Sequence, residues 1–398
     1  MDFIDGFMEY TEGVTSPKNF LLWTAITSIA GALERRVFTI TAGKPAYPNL
    51  ITWLVGPPGS GKSEAIGVAV ELMDLAGGFN LAANNMTKAA LIDALQEAER
   101  QVFIDEKTML DYHSLFVPAP ELGVLVPAHD LEFLSVINYI WDNPPFYREK
   151  RRGMKTETNP TGEVDIARPQ LTILAGTQPG YLSGLLPDEA WTMGTMSRTI
   201  MIYSGEAPPP DLFGDRSKNE SLKTKLILEF RRMARLLGTV TWAPEAKSAI
   251  LNWQRAGLEP VPSHSKLTNY NSRRLFNTIK LAIISSASRG DDLVITGFDV
   301  ERALTWLLEA ESVMPDVFRA MANKSDKQII DELYYFCWQQ YAKAKKLVSE
   351  VAIKYFLMSR VPSDKIPHII AVSCQTGMLV DRGQGLYEPT PQNMHGVE

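Results

Sequence analysis

Residues Gly56 to Ser63 read GPPGSGKS and match the phosphate-binding pattern GxxxxGK[S/T]. In this pattern, glycines let backbone N–H groups approach phosphate oxygens, and the following helix directs its positive amino end at them. Lys62 would neutralise the β- and γ-phosphates of ATP, and the Ser63 hydroxyl would bind Mg²⁺. The apolar run from Asn49 to Val55 precedes the loop, which favours this interpretation over a chance glycine turn. The residues expected to contact the nucleotide here are Gly56, Pro57, Pro58, Gly59, Ser60, Gly61, Lys62, Ser63 and Glu64.

Two adjacent carboxylates end a second apolar run, Gln101 to Glu106. The run predicts a buried strand, and ligands of open α/β sheets lie at the carboxyl ends of the strands. We expect Asp105 to hold Mg²⁺ through water and Glu106 to orient and polarise the attacking water. Asp105 follows Lys62 by 43 residues, with one strand and one helix between them. This spacing favours a catalytic pair over a solvated acidic strand end.

Polar residues also follow a third apolar run, Gln170 to Thr177. A polar side chain between two strand ends can sense the γ-phosphate of the nucleotide. We expect Gln178 to do so, with Thr177 as the second choice. The alternative is a plain turn between a strand and a loop.

Three arginines are candidates for stabilising negative charge on the phosphates. Arg198, at the start of the last strand of the core, would reach the γ-phosphate bound by a neighbouring subunit. The alternative for it is a surface arginine in an ion pair. Arg273 and Arg274 open a later helix, from which one of them would reach the nucleotide of its own subunit. The sequence does not say which, and a solvated helix start is the alternative for both.

A basic segment stands out in this acidic chain: residues 147–155 carry five basic side chains and one acid. A turn at residues 159–162 follows it, so the sequence predicts an inserted hairpin at about 146–166. Such a hairpin could grip the phosphates of a single DNA strand, and a solvated charged loop is the alternative. The expected DNA contacts are Arg148, Lys150, Arg151, Arg152 and Lys155.

The elements that must position these residues alternate between strands and helices. This order predicts an α/β fold, a parallel sheet with helices on both faces. After the triple proline at 208–210 the pattern becomes helical, and the last segment reads as three helices and a hairpin, which suggests a winged helix. A winged helix binds duplex DNA or another protein, and the sequence leaves both open. The predicted segments are 1–45 (helical), 46–205 (nucleotide-binding core), 206–322 (helical lid) and 325–398 (winged helix).

The composition and charge of the chain restrict the classes of protein to which it can belong. The 398 residues carry a net charge of −6, which still allows DNA binding through a local basic surface. The two cysteines have no metal-ligand spacing, and no apolar run approaches the roughly 18 residues of a membrane span. The start, MDFIDGFMEY, is acidic where a secretion signal would be basic. We therefore expect no membrane association and a cytoplasmic location, that of the host cell if a phage encodes the chain.

Taken together, the motifs resemble the AAA+ division of P-loop ATPases. Their order is the glycine loop, the Asp-Glu pair, an inserted hairpin, a sensor strand, a Ser-Arg finger, a helical lid and a winged helix. The hairpin, the finger and the winged helix look most like the clade of minichromosome maintenance helicases. The opening, YTEGVTSPKNFLLWTAITSIAGALERRV, is similar to phage and prophage replication ATPases often labelled primase-helicase or DnaB-like. The chain departs from the pattern at the sensor, where Thr177-Gln178 stands in place of the usual Asn, and after Arg198, where the usual Phe is missing.

This resemblance implies a ring-forming, ATP- and Mg²⁺-dependent DNA helicase or translocase of phage-type replication, most often a hexamer. Each active site would combine Lys62, Ser63 and the Asp105-Glu106 pair with Arg198 of the next subunit. The alternative is a switch ATPase that binds DNA or a replication partner and loads or recruits a helicase or transposase. That protein needs the same ATP site but no continuous movement along DNA.

Overall fold

The chain divides into two compact units, Met1–Phe318 and Arg319–Glu398. The computed structural model describes residues 1–83, 86–103, 107–150, 162–186, 191, 194–206, 208–209, 219–358, 361 and 365–390, with side chains at all of these except 322–328 and 344. Within this described part, no helix is both long and apolar enough to cross a bilayer.

Two helices begin the first unit, α1 (Phe3–Tyr10) and α2 (Lys18–Leu33). Asp2 caps α1, because its side chain accepts hydrogen bonds from the first backbone N–H groups of the helix. In α2, 13 of 16 residues are buried, as expected for a helix that is apolar around its whole circumference. Gly31 lets α2 approach the central sheet closely, since a Cβ there would lie 2.7 Å from the Phe116 ring.

A small hairpin and the central sheet come next. The hairpin consists of β1 (Val37–Thr41) and β2 (Lys44–Ala46) and follows a 3₁₀ turn at Glu34–Arg36. The next elements, in chain order, are β3 (Ile51–Val55), α3 (Lys62–Ala76), α4 (Lys88–Glu97), β4 (Glu99–Phe103), β5 (Met109–Ala119), α5 (Leu122–Leu125), α6 (Leu131–Trp141), β6 (Phe146–Lys150), β7 (Glu163–Ala167), β8 (Pro169–Thr177), α7 (Pro179–Leu185), α8 (Gly194–Arg198) and β9 (Thr199–Tyr203).

The central sheet has the strand order β4-β5-β8-β3-β9. β5, β8, β3 and β9 run parallel, whereas β4 is antiparallel to β5. β3 and β8 are buried along their whole length, as expected for strands of a sheet covered on both faces. The prediction of an α/β fold with a parallel sheet is confirmed.

The strand predicted at 101–106 differs from the observed one in extent and direction. β4 spans Glu99–Phe103 and lies antiparallel at the edge of the sheet. The inner position beside β8 belongs to β5, a strand that was not predicted from the sequence. Polar residues in the first half of β5, among them Asp111 and His113, interrupt its apolar pattern. The apolar second half alone does not indicate a strand of this length.

The rest of the first unit is mainly helical, as predicted. It contains α9 (Glu220–Met233), β10 (Gly238–Thr239), β11 (Thr241–Trp242), α10 (Pro244–Arg255), α11 (Thr268–Asn271), α12 (Arg274–Arg289), β12 (Val294–Ile295) and the first part of α13 (Gly297–Ala344). β10 extends the small sheet by pairing with β1. The Phe230 ring of α9 packs edge-on against Phe3 of α1, with ring centroids 4.7 Å apart. The amino-terminal helices, the central sheet and this helical region therefore form one compact unit.

The second unit has its own hydrophobic core. It contains the last part of α13, then β13 (Val348–Ser349), α14 (Glu350–Met358), α15 (Ile366–Gln375), β14 (Leu379–Asp381) and β15 (Leu386–Pro389). β15 lies between β13 and β14 and is antiparallel to both. The three helices and the final hairpin follow in the predicted order, and β13 is an additional short strand. Core side chains include Leu333, Cys337, Ile353, Leu357 and Ile369.

Candidate nucleotide-binding site

The glycine loop leaves the carboxyl end of β3 and enters α3 at Lys62. Gly59 and Gly61 have φ angles of +75° and +77°, in the left-handed region that favours glycine. At Gly61 a side chain is also excluded by space, because a Cβ would lie 1.9 Å from the Thr15 carbonyl oxygen. The strand, loop and helix predicted from the motif are therefore present, and the loop backbone depends on its glycines.

Lys62 is only 6 % exposed, and its ammonium group lies inside the glycine loop. The group donates hydrogen bonds to the carbonyl oxygens of Gly56 and Pro57, at 3.0 and 2.8 Å, and to the Ser60 hydroxyl at 3.1 Å. Ser63 follows on the first turn of α3 and is exposed. A fixed positive charge beside the amino end of a 15-residue helix suits the binding of an anion such as phosphate.

The chain before α2 packs directly on the glycine loop. Besides the approach of Thr15, the Phe20 ring lies 3.1 Å from the point that a Gly56 Cβ would occupy. The side-chain amide of Asn19 donates to the carbonyl oxygen of Tyr203 at 2.9 Å. The amino-terminal segment thus joins the loop to the end of β9 and belongs to the site.

The carboxyl end of β8 lies beside the same loop. The backbone N–H of Gly56 donates to the carbonyl oxygen of Thr177 at 3.2 Å, and Gln178 follows immediately. Thr177 is 1 % exposed, whereas Gln178 is partly exposed. The structure brings both sensor candidates to the loop, and Gln178 has the more accessible side chain.

Asp105 and Glu106 lie outside the described residues. The strand before them, β4, ends at Phe103, which pairs with Met109 at the amino end of β5. β5 has 11 residues at about 3.3 Å each, so roughly 33 Å of strand separate this end of β4 from the edge that carries the glycine loop. The observed direction of β4 differs from the predicted one, because β4 is antiparallel to its neighbour and its last residue, Phe103, lies away from the loop edge. The placement of the two carboxylates at the loop stays a prediction.

Glu121 follows the carboxyl end of β5, on the same sheet edge as the glycine loop. The carbonyl oxygen of Pro120 and the Cβ of Lys62 lie 2.4 and 3.4 Å from the point that a Gly176 Cβ would occupy. The residue before Glu121 is therefore a close neighbour of Lys62, and Glu121 itself is exposed. Glu121 was not among the predicted site residues, although the apolar run Leu115–Ala119 directly before Pro120-Glu121 is a signal of the right kind.

Arg198 lies at the amino end of β9, on the sheet edge opposite the glycine loop. Its guanidinium forms a bidentate ion pair with Asp142, with Nε–Oδ1 and Nη2–Oδ2 distances of 3.1 and 2.5 Å. The five residues of β9 separate Arg198 from the loop edge by about 17 Å. This distance exceeds the length of an arginine side chain, so Arg198 does not serve the loop of its own chain.

Arg273 joins Arg198 in one cluster. Its Nη1 lies 3.9 Å from Oδ1 of Asp142. The guanidinium carbons of Arg198 and Arg273 lie 5.5 and 6.0 Å from the ring centroid of Trp141, and the Lys280 ammonium lies 3.9 Å from it. Burial holds the pKa of Lys280 well below its usual range. Three basic side chains thus surround one indole and one carboxylate.

Arg274 is fully buried and holds the helical region together. Its Nε and Nη2 donate to the carboxylate of Glu311 at 2.8 and 2.7 Å, and its Nη1 and Nη2 donate to two backbone carbonyl oxygens. The Tyr270 hydroxyl donates to the same carboxylate, and burial raises the pKa of Tyr270 well above its usual value. A solvated helix start is therefore excluded for Arg274. Arg273, with 33 % of its side chain exposed, is the more accessible of the two.

The base of the predicted basic hairpin is an antiparallel ribbon in which β6 pairs with β7. Arg148 and Asp165 form an ion pair across it at 3.0 Å, with side chains 58 % and 50 % exposed. An exposed pair of this kind contributes little stability, so its charges stay accessible to a partner. Lys150 is exposed as well. The other expected DNA contacts, Arg151, Arg152 and Lys155, lie outside the described residues.

Oxygen donors at the loop fit the predicted Mg²⁺. Within the described part of the chain, no group of three or more His, Cys, Asp or Glu side chains could hold a metal ion. A nucleotide-bound Mg²⁺ does not require one, because phosphate oxygens and water fill most of its six positions. The Ser63 hydroxyl and the Glu121 carboxylate, both exposed at the loop edge, are ligands of the right chemistry.

A scan against protein-family models finds no match to this chain, and a search of curated proteins finds no significant match. The assignment of function therefore rests on the chemistry and geometry of the site.

Proposed function

We propose that the chain is a P-loop nucleoside triphosphatase that hydrolyses ATP in the presence of Mg²⁺. The observation that carries the proposal is the Gly56–Ser63 loop between a buried parallel strand and a helix, with the Lys62 ammonium inside the loop. β8 lies between the loop strand β3 and the strand β5 and is parallel to both. The carboxyl ends of all three strands therefore lie at the edge that carries the glycine loop. This arrangement supports membership of the AAA+ division, which the motif order suggested.

Each residue at the loop edge has a distinct task in this proposal. Lys62 and the loop N–H groups bind the β- and γ-phosphates. Ser63 binds Mg²⁺, which neutralises charge on the phosphate oxygens. Glu121, in place of the predicted Asp105-Glu106 pair, accepts a proton from the attacking water or orients that water. Gln178 donates a hydrogen bond to the γ-phosphate from the end of β8.

Substitution of Lys62 tests the nucleotide site directly. Lys62→Ala should abolish ATP binding, measured by calorimetry, and ATP hydrolysis, measured by phosphate release. Lys247→Ala, at an exposed lysine outside the loop, is the matched control and should hydrolyse ATP at the wild-type rate. Normal hydrolysis by Lys62→Ala would show that the loop is not the active site.

We further propose that the protein acts on DNA as a ring-forming helicase or translocase. Two features support this step. The cluster of Arg198 and Arg273 lies on the sheet edge opposite the glycine loop, where it would face the nucleotide of a neighbouring subunit. The exposed basic ribbon of β6 and β7 provides a surface that could follow the phosphates of a DNA strand. The helix and strand order of the second unit supports a winged-helix fold.

One observation favours the second candidate, a switch ATPase that loads or recruits another protein. Helix α14 exposes Val351, Tyr355 and Met358 by 77 %, 81 % and 65 %. Spacings of four and three residues place these side chains on one helix face, as in helices that contact protein partners. The second unit would then bind a protein rather than DNA.

A strand-displacement assay on a forked duplex separates the two candidates. ATP-dependent release of the labelled strand, absent in Lys62→Ala, supports the helicase. DNA binding that depends on ATP but releases no strand supports the switch ATPase. The triple substitution Val351→Ser, Tyr355→Ser, Met358→Ser should leave unwinding intact if the protein is a helicase, since it changes a surface outside the proposed DNA path.

A further inference from the structure

A cavity of about 390 Å³ lies within the second compact unit, between α14, α15 and the final hairpin of β14 and β15. Glu350 and Lys354 line it from α14, and Asp381 and Tyr387 line it from the hairpin. The residues that α15 contributes are Pro367, Ile370, Ala371 and Cys374. None of these side chains has a task in the proposed nucleotide site.

The lining of this cavity carries more negative than positive charge. The Lys354 ammonium lies 2.7 Å from Oε1 of Glu350, one turn earlier on the same helix, and neutralises that carboxylate. Oδ1 of Asp381 accepts a hydrogen bond from the backbone N–H of Gly383 at 2.8 Å, but among the described residues no basic side chain pairs with Asp381. The neighbouring Arg382 pairs with Glu388 instead, at 2.6 Å. One carboxylate of the cavity is therefore left without a cation.

Two uncharged side chains of the cavity respond to this negative charge. Tyr387 lies directly opposite Asp381 in the hairpin. Burial raises the pKa of the Tyr387 hydroxyl, and the negative charges of Asp381 and Glu350 raise it further. Burial and the charge of Asp381 also raise the pKa of the Cys374 thiol. The potential inside the cavity thus disfavours a further negative charge and favours a cation.

The exposed apolar side chains of α14 lie next to the cavity. Glu350 and Lys354 form one ridge of the helix, because they are four residues apart. Val351 and Tyr355 form the adjacent ridge, about 100° further round the helix, and Met358 extends it. A ligand that reaches the carboxylates of the cavity from solvent can therefore also cover this apolar ridge.

The same charges disfavour duplex DNA at this face of the second unit. In a helix-turn-helix domain the second helix of the motif enters the major groove, and here that helix would be α15. Its exposed residues Pro367 and Ala371 share the cavity with Glu350 and Asp381. Carboxylates at this position would repel the phosphate groups of the duplex.

We infer that this cavity binds a basic side chain of a partner protein and that the apolar ridge of α14 binds apolar side chains next to it in the partner. The ammonium or guanidinium would pair with Asp381, and its aliphatic stem would pack on Ile370 and Ala371. The inference names the chemistry of a partner for the second unit. It requires no ATP hydrolysis, so it can fail without affecting the proposed nucleotide site.

Fluorescence anisotropy on the full chain tests the inference with two labelled peptides. The peptides share the same leucines and serines and differ at one central position, which is arginine in one and glutamine in the other. Wild-type protein should bind the arginine peptide about tenfold more tightly, the effect of one charge-assisted hydrogen bond. The double substitution Glu350→Gln, Asp381→Asn should abolish this preference, because the amides keep the size of the carboxylates and remove their charge.

Two further variants separate the cavity from the overall charge of the unit. The double substitution Asp331→Asn, Glu332→Gln removes the same charge from exposed residues of α13, so this matched control should keep the preference for arginine. Ala371→Trp fills the cavity from an exposed position of α15 and should abolish the preference without any change in charge.

The apolar ridge has its own test with the same peptides. The triple substitution Val351→Ser, Tyr355→Ser, Met358→Ser should weaken the binding of both peptides about equally and leave the ratio of their affinities unchanged. If the triple variant binds both peptides as tightly as wild-type protein does, the ridge is not part of the binding surface and that part of the inference is wrong.

Three results would overturn the inference. The first is equal affinity of wild-type protein for the two peptides, and the second is a control variant that loses the preference as fully as Glu350→Gln, Asp381→Asn does. The third uses a labelled DNA duplex: if Ala371→Trp weakens duplex binding and keeps the preference for arginine, the cavity belongs to a DNA-binding surface. Lys62→Ala should bind both peptides as wild-type protein does, so this test is separate from that of the nucleotide site.

Discussion

At the scale of single residues, the choice of carboxylate for the proposed catalytic base depends on which end of a strand carries it. The pair Asp105-Glu106 follows an antiparallel edge strand whose carboxyl end lies away from the glycine loop. Glu121 follows a parallel strand, and its neighbour Pro120 packs beside Lys62. Side-chain chemistry alone favours the pair, whereas strand direction favours the single glutamate.

Two matched substitutions decide between these acids. Glu121→Gln should bind ATP with near wild-type affinity but hydrolyse it at least about 100-fold more slowly, since an amide cannot accept the proton of the attacking water. Glu106→Gln should retain most of the wild-type turnover. Calorimetry gives the affinity and phosphate release gives the rate. The opposite outcome, with Glu106→Gln inactive and Glu121→Gln active, would restore the original prediction.

At the scale of elements, apolar runs and glycines were sufficient to predict β3, α3 and β8, and a basic run followed by a turn was sufficient to predict the ribbon of β6 and β7. Strand β5 was missed, because residues such as Asp111 and His113 break its hydrophobic pattern. The direction of β4 could not be predicted, since pairing with a strand later in the chain decides it. The partners of Arg198 and Arg274 were also beyond prediction, because Asp142 and Glu311 lie 56 and 37 residues away in sequence.

The start of helix α13 gives a prediction about stability. Asp299 is fully buried and accepts hydrogen bonds from Arg289, from Ser285 and from both the N–H and hydroxyl of Thr296. Burial alone would raise the pKa of Asp299, but these hydrogen bonds, led by that from Arg289, hold it below its usual value. We expect Asp299→Asn to lower the free energy of unfolding at pH 7 by about 3 kcal/mol, the cost of breaking a buried ion pair.

The pH dependence of that loss checks its electrostatic origin. Because the folded-state pKa of Asp299 is lowered, its contribution is complete above the unfolded pKa of about 4 and disappears as the pH falls through the folded value. Urea titrations should therefore show the difference between wild type and Asp299→Asn shrinking below about pH 4. Asp292→Asn, at an exposed position between α12 and β12, is the control. It should leave the free energy of unfolding nearly unchanged at any pH. A difference independent of pH would assign the loss to packing.

The basic hairpin gives a prediction about DNA. Replacing Arg151, Arg152 and Lys155 by Gln should weaken DNA-stimulated ATP hydrolysis and flatten the dependence of DNA affinity on salt, because fewer counterions are released on binding. Fluorescence anisotropy across a salt series measures the slope. The same substitution at three exposed lysines elsewhere should preserve it; suitable positions are Lys44, Lys225 and Lys247. Equal slopes for both triple variants would make the hairpin an ordinary solvated loop.

At the scale of the whole molecule, the first unit has two chemically different edges. The glycine loop lies at the carboxyl edge of the central sheet, and Arg198 and Arg273 lie at the amino edge. A head-to-tail contact between copies would place one edge against the other, and contacts of this kind generate rings when the rotation closes. In the single chain, the guanidinium groups of Arg198 and Arg273 form ion pairs with Asp142 instead.

Mixing two inactive variants tests whether the site is shared between subunits. Arg198→Ala should bind ATP but fail to hydrolyse it, and Glu121→Gln should do the same for a different reason. Mixed together, they should regain part of the wild-type activity, because some sites combine an intact Glu121 with an intact Arg198 from the neighbour. The activity should rise with protein concentration. Full activity of Arg198→Ala alone would rule out a role in the neighbouring site.

The amino-terminal helices have a practical consequence for fragment design. The glycine motif invites a minimal fragment that starts at the strand before it, near residue 46. That fragment would lack Thr15 and Phe20, which pack on the loop, and the buried helix α2 beneath the sheet. It would also lose the ion pair that ties Asp2 to Arg302. Fragments shortened from the amino terminus should therefore lose solubility and ATP binding together. A shortened domain has to keep its first helix.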